Sequence, residues 1–88
     1  MARIQQEEGR FYIKEGGETA AEMKFEEEDS VITITHTHVV PPMQGKGMAT
    51  ELVEFAAEYA RKYNKKINPV CSFAKQVLED DESFRDVL

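Results

Sequence analysis

The chain has 88 residues, of which 41% are hydrophobic and 32% are charged, and its formal net charge is −6. This length suits one domain with one modest core, and we take residues 1–88 as that domain, with residues 1–8 expected to be disordered. The acidic balance argues against nucleic acid as a partner, because phosphate contacts require clustered Lys and Arg. It is compatible with a basic acceptor, although charge alone does not select one.

The chain has a single cysteine, Cys71. One cysteine excludes an intramolecular disulfide and fits a reducing compartment. No apolar run approaches the roughly 18–20 residues of a membrane-spanning helix, and the first eight residues are too polar for a signal peptide. We therefore expect a cytoplasmic protein without a membrane partner, and the sequence leaves its oligomeric state open.

The first half of the chain predicts three strands, over residues 9–15, 19–26 and 31–39. Apolar and polar residues alternate along the first two strands, and the third strand is rich in β-branched residues. Gly16-Gly17 between the first two strands is a strong signal for a two-residue hairpin turn, since such turns need positive φ. The first three strands therefore predict an antiparallel meander.

The second half predicts a helix, a short strand and a second helix. Apolar residues share one helical face at Ala49, Leu52, Val53, Ala56, Ala60 and Tyr63. Residues 65–70 form the strand, which a crossover helix should place parallel to residues 31–39. A helix from Ser72 and a last turn from Ser83 complete an α/β (α+β) fold of order β-β-β-α-β-α.

The segment from Val39 to Ala49 joins the third strand to the helix and contains Gly45-Lys46-Gly47. The first N–H groups of a helix have no internal partner, and the helix dipole adds partial positive charge there. Glycines let the backbone approach a phosphate closely, and Lys46 can add a charge. The segment therefore predicts a pyrophosphate site.

Two common nucleotide motifs do not fit this segment. A P-loop requires four residues between its first glycine and Gly-Lys, and Ser or Thr afterwards, whereas Met48 follows here. A G-x-G-x-x-G motif fails because position 50 is Thr. The pattern Q/R-x-x-G-x-G/A does match at residues 44–49, where the chain reads Gln-Gly-Lys-Gly-Met-Ala.

This glycine pattern resembles the acetyl-CoA pyrophosphate loop of the GNAT-type N-acetyltransferases. Three short segments together are similar to the very small single-domain members of that family: T-H-T-x-V at 35–39, G-K-G-x-A at 45–49 and P-x-C-S-F at 69–73. The resemblance runs from about Gly9 to Leu88. The chain departs from the family near its end, where residues 81–84 read Asp-Glu-Ser-Phe and the usual His-Pro is missing.

The resemblance implies a minimal GNAT-like fold with acetyl-CoA as cofactor, held in a slot between the parallel strands. It implies that the pantetheine arm meets Val39 and Val40. The pyrophosphate would meet the residues Gln44, Gly45, Lys46, Gly47, Met48 and Ala49. The family activity is transfer of an acetyl group to a primary amine.

Cys71 lies between the last strand and the following helix. Ligands of α/β sheets bind at the carboxyl ends of parallel strands, and a helix N-terminus lowers the pKa of a thiol. Cys71 could take the acetyl group or sit beside the thioester without reacting. It could instead be a small buried side chain, as free cysteines often are.

His36 and His38 share one face of the third strand. An imidazole near the cofactor could accept a proton from an amine, and His36 is favoured because it lies in the T-H-T motif. The alternative is an exposed strand residue, and no metal is expected because no third ligand is placed for one. Thr35 and Thr37 are expected simply to suit the strand.

The sequence therefore predicts an acetyl-CoA-dependent N-acetyltransferase with an unidentified amine acceptor, either a small molecule or a protein amine, and with Cys71 and His36 as catalytic candidates. The alternative is a CoA- or acyl-CoA-binding module without turnover, which the small size favours. A third possibility is a small interaction domain that does not bind CoA.

Overall fold

The computed structural model describes residues 4–88. One five-stranded sheet has the order β1-β2-β3-β4-β5, and its strands are β1 Ile4–Glu7, β2 Arg10–Glu15, β3 Glu18–Glu28, β4 Val31–Val39 and β5 Lys66–Pro69. The first four strands are antiparallel, and β5 runs parallel to β4. The helices are α1 Met48–Lys62 and α2 Ser72–Asp80, with short 3-10 turns at Pro41–Met43 and Glu82–Val87. The predicted fold class is confirmed.

Strand β1 corrects the expectation that residues 1–8 are disordered. Residues 4–7 pair in register with β2, from Ile4 opposite Ile13 to Glu7 opposite Arg10. Only Ile4 of this strand packs against the core, so period-two alternation gives no signal there. Backbone pairing with β2 therefore makes the strand, and residues 1–3 of the same expectation lie outside the described residues.

The core fills one face of the sheet. Helix α1 crosses this face against β2, β3, β4 and β5, and α2 packs beside α1. The buried side chains of the sheet and of α1 include Phe11, Ile13, Met23, Ile32, Ile34, Leu52, Val53 and Ala56. The alternation predicted for the first two strands and the apolar stripe predicted for α1 supply this layer. Within the described residues, no helix has the length and hydropathy needed to cross a membrane.

The other face of the sheet, called here the outer face, is polar. The Arg10 guanidinium lies 4.0 Å from the ring centroid of Tyr12, and its Nε donates to Glu22 at 2.7 Å. These three side chains cover the outer face over β2 and β3. The outer face over β4 and β5 carries exposed His36 and His38 instead.

A β-bulge at Thr35 changes which side chains of β4 face the core. Lys24 pairs with His36 and Phe25 pairs with Ile34, so Thr35 is the extra residue. Before the bulge, Ile34 is buried in the core. After it, Thr37 takes the core side, opposite buried Met23, and His36 is turned to the outer face.

The C-terminal turn is fixed to α1 by Arg61. Its Nε and Nη2 donate to the two carboxylate oxygens of Asp86 at 2.8 and 3.0 Å. Lys66 Nζ donates to the backbone oxygen of Asp86 at 2.7 Å. The turn thereby brings Phe84 and Val87 into the core, where both are buried.

Candidate acetyl-CoA site

The glycine loop adopts a conformation that strongly favours glycine at two positions. Gly45 has φ +83° and Gly47, the residue before α1, has φ +79°. A Cβ added at either position would meet no heavy atom within 4 Å. The glycines are therefore required by backbone conformation, and the space outside them is open to a ligand that approaches the first N–H groups of α1.

Gln44 holds the loop against the end of β4. Its side-chain Nε2 donates to the backbone oxygen of Val39 at 3.1 Å, and its backbone N–H donates to Pro41 at 3.2 Å. The side chain of Lys46 is exposed at the tip of the loop. These contacts position the loop, and Lys46 adds a positive charge beside the N-terminus of α1.

A groove of about 390 Å³ lies between the glycine loop and β4. Its lining residues are Thr37, Val39, Met43, Gln44, Gly45, Gly47, Met48, Ala49, Thr50 and Phe73. Six of the eight predicted cofactor residues therefore meet in one groove. The other two do not line it: Lys46 is exposed, and Val40 lies in an adjacent cavity on the other side of Met43.

The edge of β4 beside this groove has no strand partner within residues 4–88. β5 pairs with β4 only as far as Ile34 opposite Pro69. There the backbone oxygen of Ile34 accepts from the N–H groups of Val70 and Cys71, both at 3.0 Å. Beyond this point the strands separate, which leaves room beside Thr37 for an extended ligand along the strand edge.

Cys71 sits where the two strands separate. It is half-buried, immediately precedes α2, and its thiol donates to the hydroxyl of Thr37 at 3.5 Å. Burial raises the pKa of the thiol, but the backbone N–H groups of Ala74, Phe73 and Thr37 and the Thr37 hydroxyl outweigh this and hold the pKa below its ordinary value. Sequence patterns missed Thr37 because a threonine also suits any strand.

Iodoacetamide reacts with the thiolate form of cysteine. Because the pKa of Cys71 is lowered, we expect the pH at which its alkylation reaches half of the maximal rate to be lower than for a free cysteine derivative. In Thr37→Val we expect that half-maximal pH to rise, since the hydroxyl no longer stabilises the thiolate. Thr33→Val, on the outer face of the same strand, is the matched control. A profile unchanged by Thr37→Val would show that the hydroxyl has no such effect.

The structure does not bring His36 into the groove. Its ring lies on the outer face, exposed, with Nδ1 3.3 Å from the hydroxyl of Thr35. Thr37 is on the core side of the same strand, and Cys71 contacts it from the residue before α2. The two catalytic candidates thus stand on opposite sides of the opening between β4 and β5, and His38 shares the outer face with His36.

The segment that departs from the family pattern has a structural role. Asp81 Oδ1 accepts a hydrogen bond from the backbone N–H of Ser83 at 2.9 Å, and this bond lowers the pKa of the Asp81 carboxyl. Phe84 follows in the core with 7% of its surface exposed. The residues Asp81 to Phe84 therefore start the last turn and anchor it.

A larger cavity, about 910 Å³, lies at the opposite end of the sheet. Its lining includes the carboxylates of Glu7, Glu8, Glu26, Glu27 and Asp29. Lys65 is the one cation among the lining residues, and it is ion-paired with Glu27. A pyrophosphate would be repelled there, so the smaller groove at the glycine loop is the better candidate.

Solved structures of other proteins share this fold. A GCN5-like protein of Staphylococcus aureus, named as a candidate N-acetyltransferase, has a TM-score of 0.79 and 36% identity over 99% of this chain and 89% of its own. The Escherichia coli ribosomal-protein-S18-alanine N-acetyltransferase has a TM-score of 0.69 and 18% identity over 89% of this chain and 51% of its own. A Clostridium acetobutylicum predicted acetyltransferase, solved with acetyl-CoA, has a TM-score of 0.60 and 19% identity over 81% and 54%.

These neighbours place the fold among the acetyltransferases. A family model, described as GCN5-related N-acetyl-transferase, matches residues 10–87, and the chain belongs to the GCN5-related N-acetyltransferase family. It spans about half the length of the two more distant structures. A search of curated protein sequences finds no match.

Proposed function

We propose that this protein binds acetyl-CoA in the groove at the glycine loop and transfers the acetyl group to a primary amine. The observation that carries the proposal is the spatial order of three features along β4. The glycine loop, the unpaired strand edge and Cys71 follow one another in the order in which pyrophosphate, pantetheine and thioester follow one another in the cofactor. The Clostridium acetobutylicum neighbour, solved with acetyl-CoA, supports the choice of ligand.

The cofactor would be held mainly by backbone groups. Residues 44–49 offer the pyrophosphate the first N–H groups of α1, with Lys46 adding charge. The pantetheine arm would run along the unpaired edge of β4 past Val39 and Val40 and exchange backbone hydrogen bonds with it. The net charge of −6 repels an anionic cofactor at long range. The N–H donors of the loop and Lys46 must therefore supply the attraction at short range.

Two chemical routes remain open at the thioester. In the covalent route, the Cys71 thiolate would attack the acetyl carbonyl, the bond to the CoA sulfur would break and CoA thiolate would leave. A neutral amine would then attack the acetyl carbonyl, the bond to Cys71 would break to return its thiolate, and the surplus proton of the amine would go to solvent or to a base. In the direct route, the amine attacks the CoA thioester itself. The position of Cys71 beside Thr37 serves either route, as acyl carrier or as a neighbour of the thioester.

The acceptor would reach the thioester from the outer face. On the core side the cofactor itself would fill the groove beside Thr37, whereas His36 on the outer side is exposed. From there its imidazole could take the proton that an amine loses. The acidic balance of the chain is compatible with a cationic amine as acceptor.

A CoA-binding module without turnover is the second candidate function. The chain spans 51% and 54% of the two more distant structures, so segments with which those larger proteins could build an acceptor site have no counterpart within residues 4–88. An acetyltransferase and a binding module would both bind acetyl-CoA. Only turnover with an amine therefore distinguishes the two candidate functions.

The test combines thermal melting with intact-mass spectrometry in the presence of acetyl-CoA, using Cys71→Ala as the control. At 100 times its Kd the ligand should add about 2.7 kcal/mol to the free energy of unfolding, which raises Tm by roughly 10 °C or more. One added acetyl group that is lost in the control supports the covalent route. A Tm shift without an adduct leaves direct transfer or binding alone.

A mixture of primary amines, including a polyamine and a lysine peptide, is then added with acetyl-CoA. Release of free CoA indicates direct transfer, and its absence indicates binding alone. If neither Tm nor mass changes with acetyl-CoA, the proposed cofactor is excluded.

A further inference from the structure

One wall of the groove at the glycine loop is made by a helix. Strand β4 contributes Thr37 and Val39 to the lining, the segment between residues 43 and 50 contributes the loop and the start of α1, and α2 contributes Phe73. None of the described residues of β5 lines the groove. The resemblance implies a slot between two parallel strands, whereas the groove of this chain lies between β4 and the first turn of α2.

The early end of β5 explains this difference. β5 stops at Pro69, and the N–H groups of Val70 and Cys71 both donate to the backbone oxygen of Ile34 at 3.0 Å. Because two successive donors converge on one acceptor, the regular ladder between the parallel strands ends there, and α2 begins at Ser72. The first turn of α2 therefore stands beside the part of β4 that β5 leaves unpaired.

The ring of Phe73 is not part of the core. The buried residues of α2 are Ala74 and Leu78, whereas Phe73 is 38% exposed and is not among the side chains that pack against the core. A single exposed phenylalanine is ordinary. This one, however, lines a cavity together with Thr37 and Val39, and aromatic side chains are typical contacts for ligands in concave sites.

We infer that Phe73 is the contact for the pantetheine arm of the bound cofactor, so that the arm lies between the edge of β4 and this ring. The inference rests on the proposed function, because it assumes that a CoA thioester occupies the groove. The two walls suit the two kinds of group in the arm. Its amides can exchange hydrogen bonds with the unpaired backbone of β4, and its methylene and gem-dimethyl groups can pack on the Phe73 ring.

The size of the effect follows from the surface that the arm covers. Burying a whole phenylalanine side chain changes an affinity by roughly 10- to 150-fold. The arm would cover only the exposed part of the ring, so we expect Phe73→Ala to weaken CoA binding by about tenfold. ADP carries a pyrophosphate and adenosine but no arm, so its affinity should stay unchanged. Phe73→Leu keeps an apolar side chain and should have an intermediate effect on CoA.

The experiment measures the Kd for CoA by calorimetry, and the Kd for ADP by displacement of CoA, with the wild-type chain, Phe73→Ala, Phe73→Leu and Tyr63→Ala. Tyr63 is the matched control, since it is also an exposed aromatic residue, 52% exposed, and lines a different cavity at the C-terminal end of α1. Tyr63→Ala should change neither Kd. Thermal melting without ligand checks that each variant is folded.

Each contrary outcome has a separate meaning. Equal Kd values for CoA in the wild-type chain and in Phe73→Ala would reject the contact and leave the CoA site standing. An equal loss of affinity for CoA and for ADP would also reject it, because Phe73 would then support the loop and not touch the arm. Absence of CoA binding by the wild-type chain would reject the proposed function, and the contact with it.

Discussion

Replacing Phe11 with alanine is expected to lower the free energy of unfolding by about 3–5 kcal/mol. Phe11 is 0% exposed, and its ring centroid lies 4.5 Å from that of Phe25 and 4.9 Å from that of Phe55. The substitution removes the largest side chain between the sheet and α1, and it also removes aromatic contacts worth about 0.5–1.5 kcal/mol per pair. A domain of this length has only about 5–10 kcal/mol of stability, so a measurable fraction of the variant should be unfolded.

Urea unfolding followed by circular dichroism measures this loss, and Tm should fall by roughly 15 °C or more. Phe73→Ala is the matched control, because the same atoms are removed at a site that is 38% exposed, and we expect it to cost less than about 1 kcal/mol. Similar losses in the two variants would show that the ring of Phe11 is not the centre of the core.

Gly45→Ala is expected to weaken CoA binding by roughly tenfold or more, equivalent to about 1.4 kcal/mol. Gly45 has φ +83°, and the space that a Cβ would enter there is empty. In the proposed complex the pyrophosphate would occupy that space. The methyl group would hold the phosphate away from the N–H groups of the loop, and the left-handed conformation would add strain.

The hairpin glycine Gly17 provides a close control for this prediction. It has φ +84°, and a Cβ there also meets nothing within 4 Å. Gly17→Ala should therefore lose the same stability, about 1–2 kcal/mol, from the left-handed backbone alone. Calorimetric titration with CoA below the melting range of both variants separates strain from contact. Equal Kd values for CoA in the two variants would show that the pyrophosphate does not contact this loop.

Much of the fold could be predicted because local signals and tertiary packing agree. Gly16-Gly17 is the turn between β2 and β3, with φ of +59° and +84°. The stripe that includes Leu52 and Val53 is buried against the sheet. The loop at residues 44–49 could also be located from its glycines, since both have positive φ at the N-terminus of a helix.

Other features could not be read from the sequence because they depend on pairing between distant segments. The residues of β1 have little apolar alternation, and their strand is made by hydrogen bonds to β2. The 3.5 Å contact of Cys71 with Thr37 joins residues 34 positions apart. No local pattern indicates that a strand threonine will meet the thiol.

The sequence by itself determined the order of the elements from β2 onward, the amphipathic face of α1 and the glycine loop, because these follow from local periodicity and backbone conformation. Tertiary structure decided which side of β4 its polar residues occupy. Strict alternation would place His36 on the same face as Ile32 and Ile34, in the core. The bulge at Thr35, formed where β4 pairs with β3, turns His36 outward and Thr37 toward Cys71. Register between strands is a property of the paired sheet, so only the folded chain determines which of these residues meet.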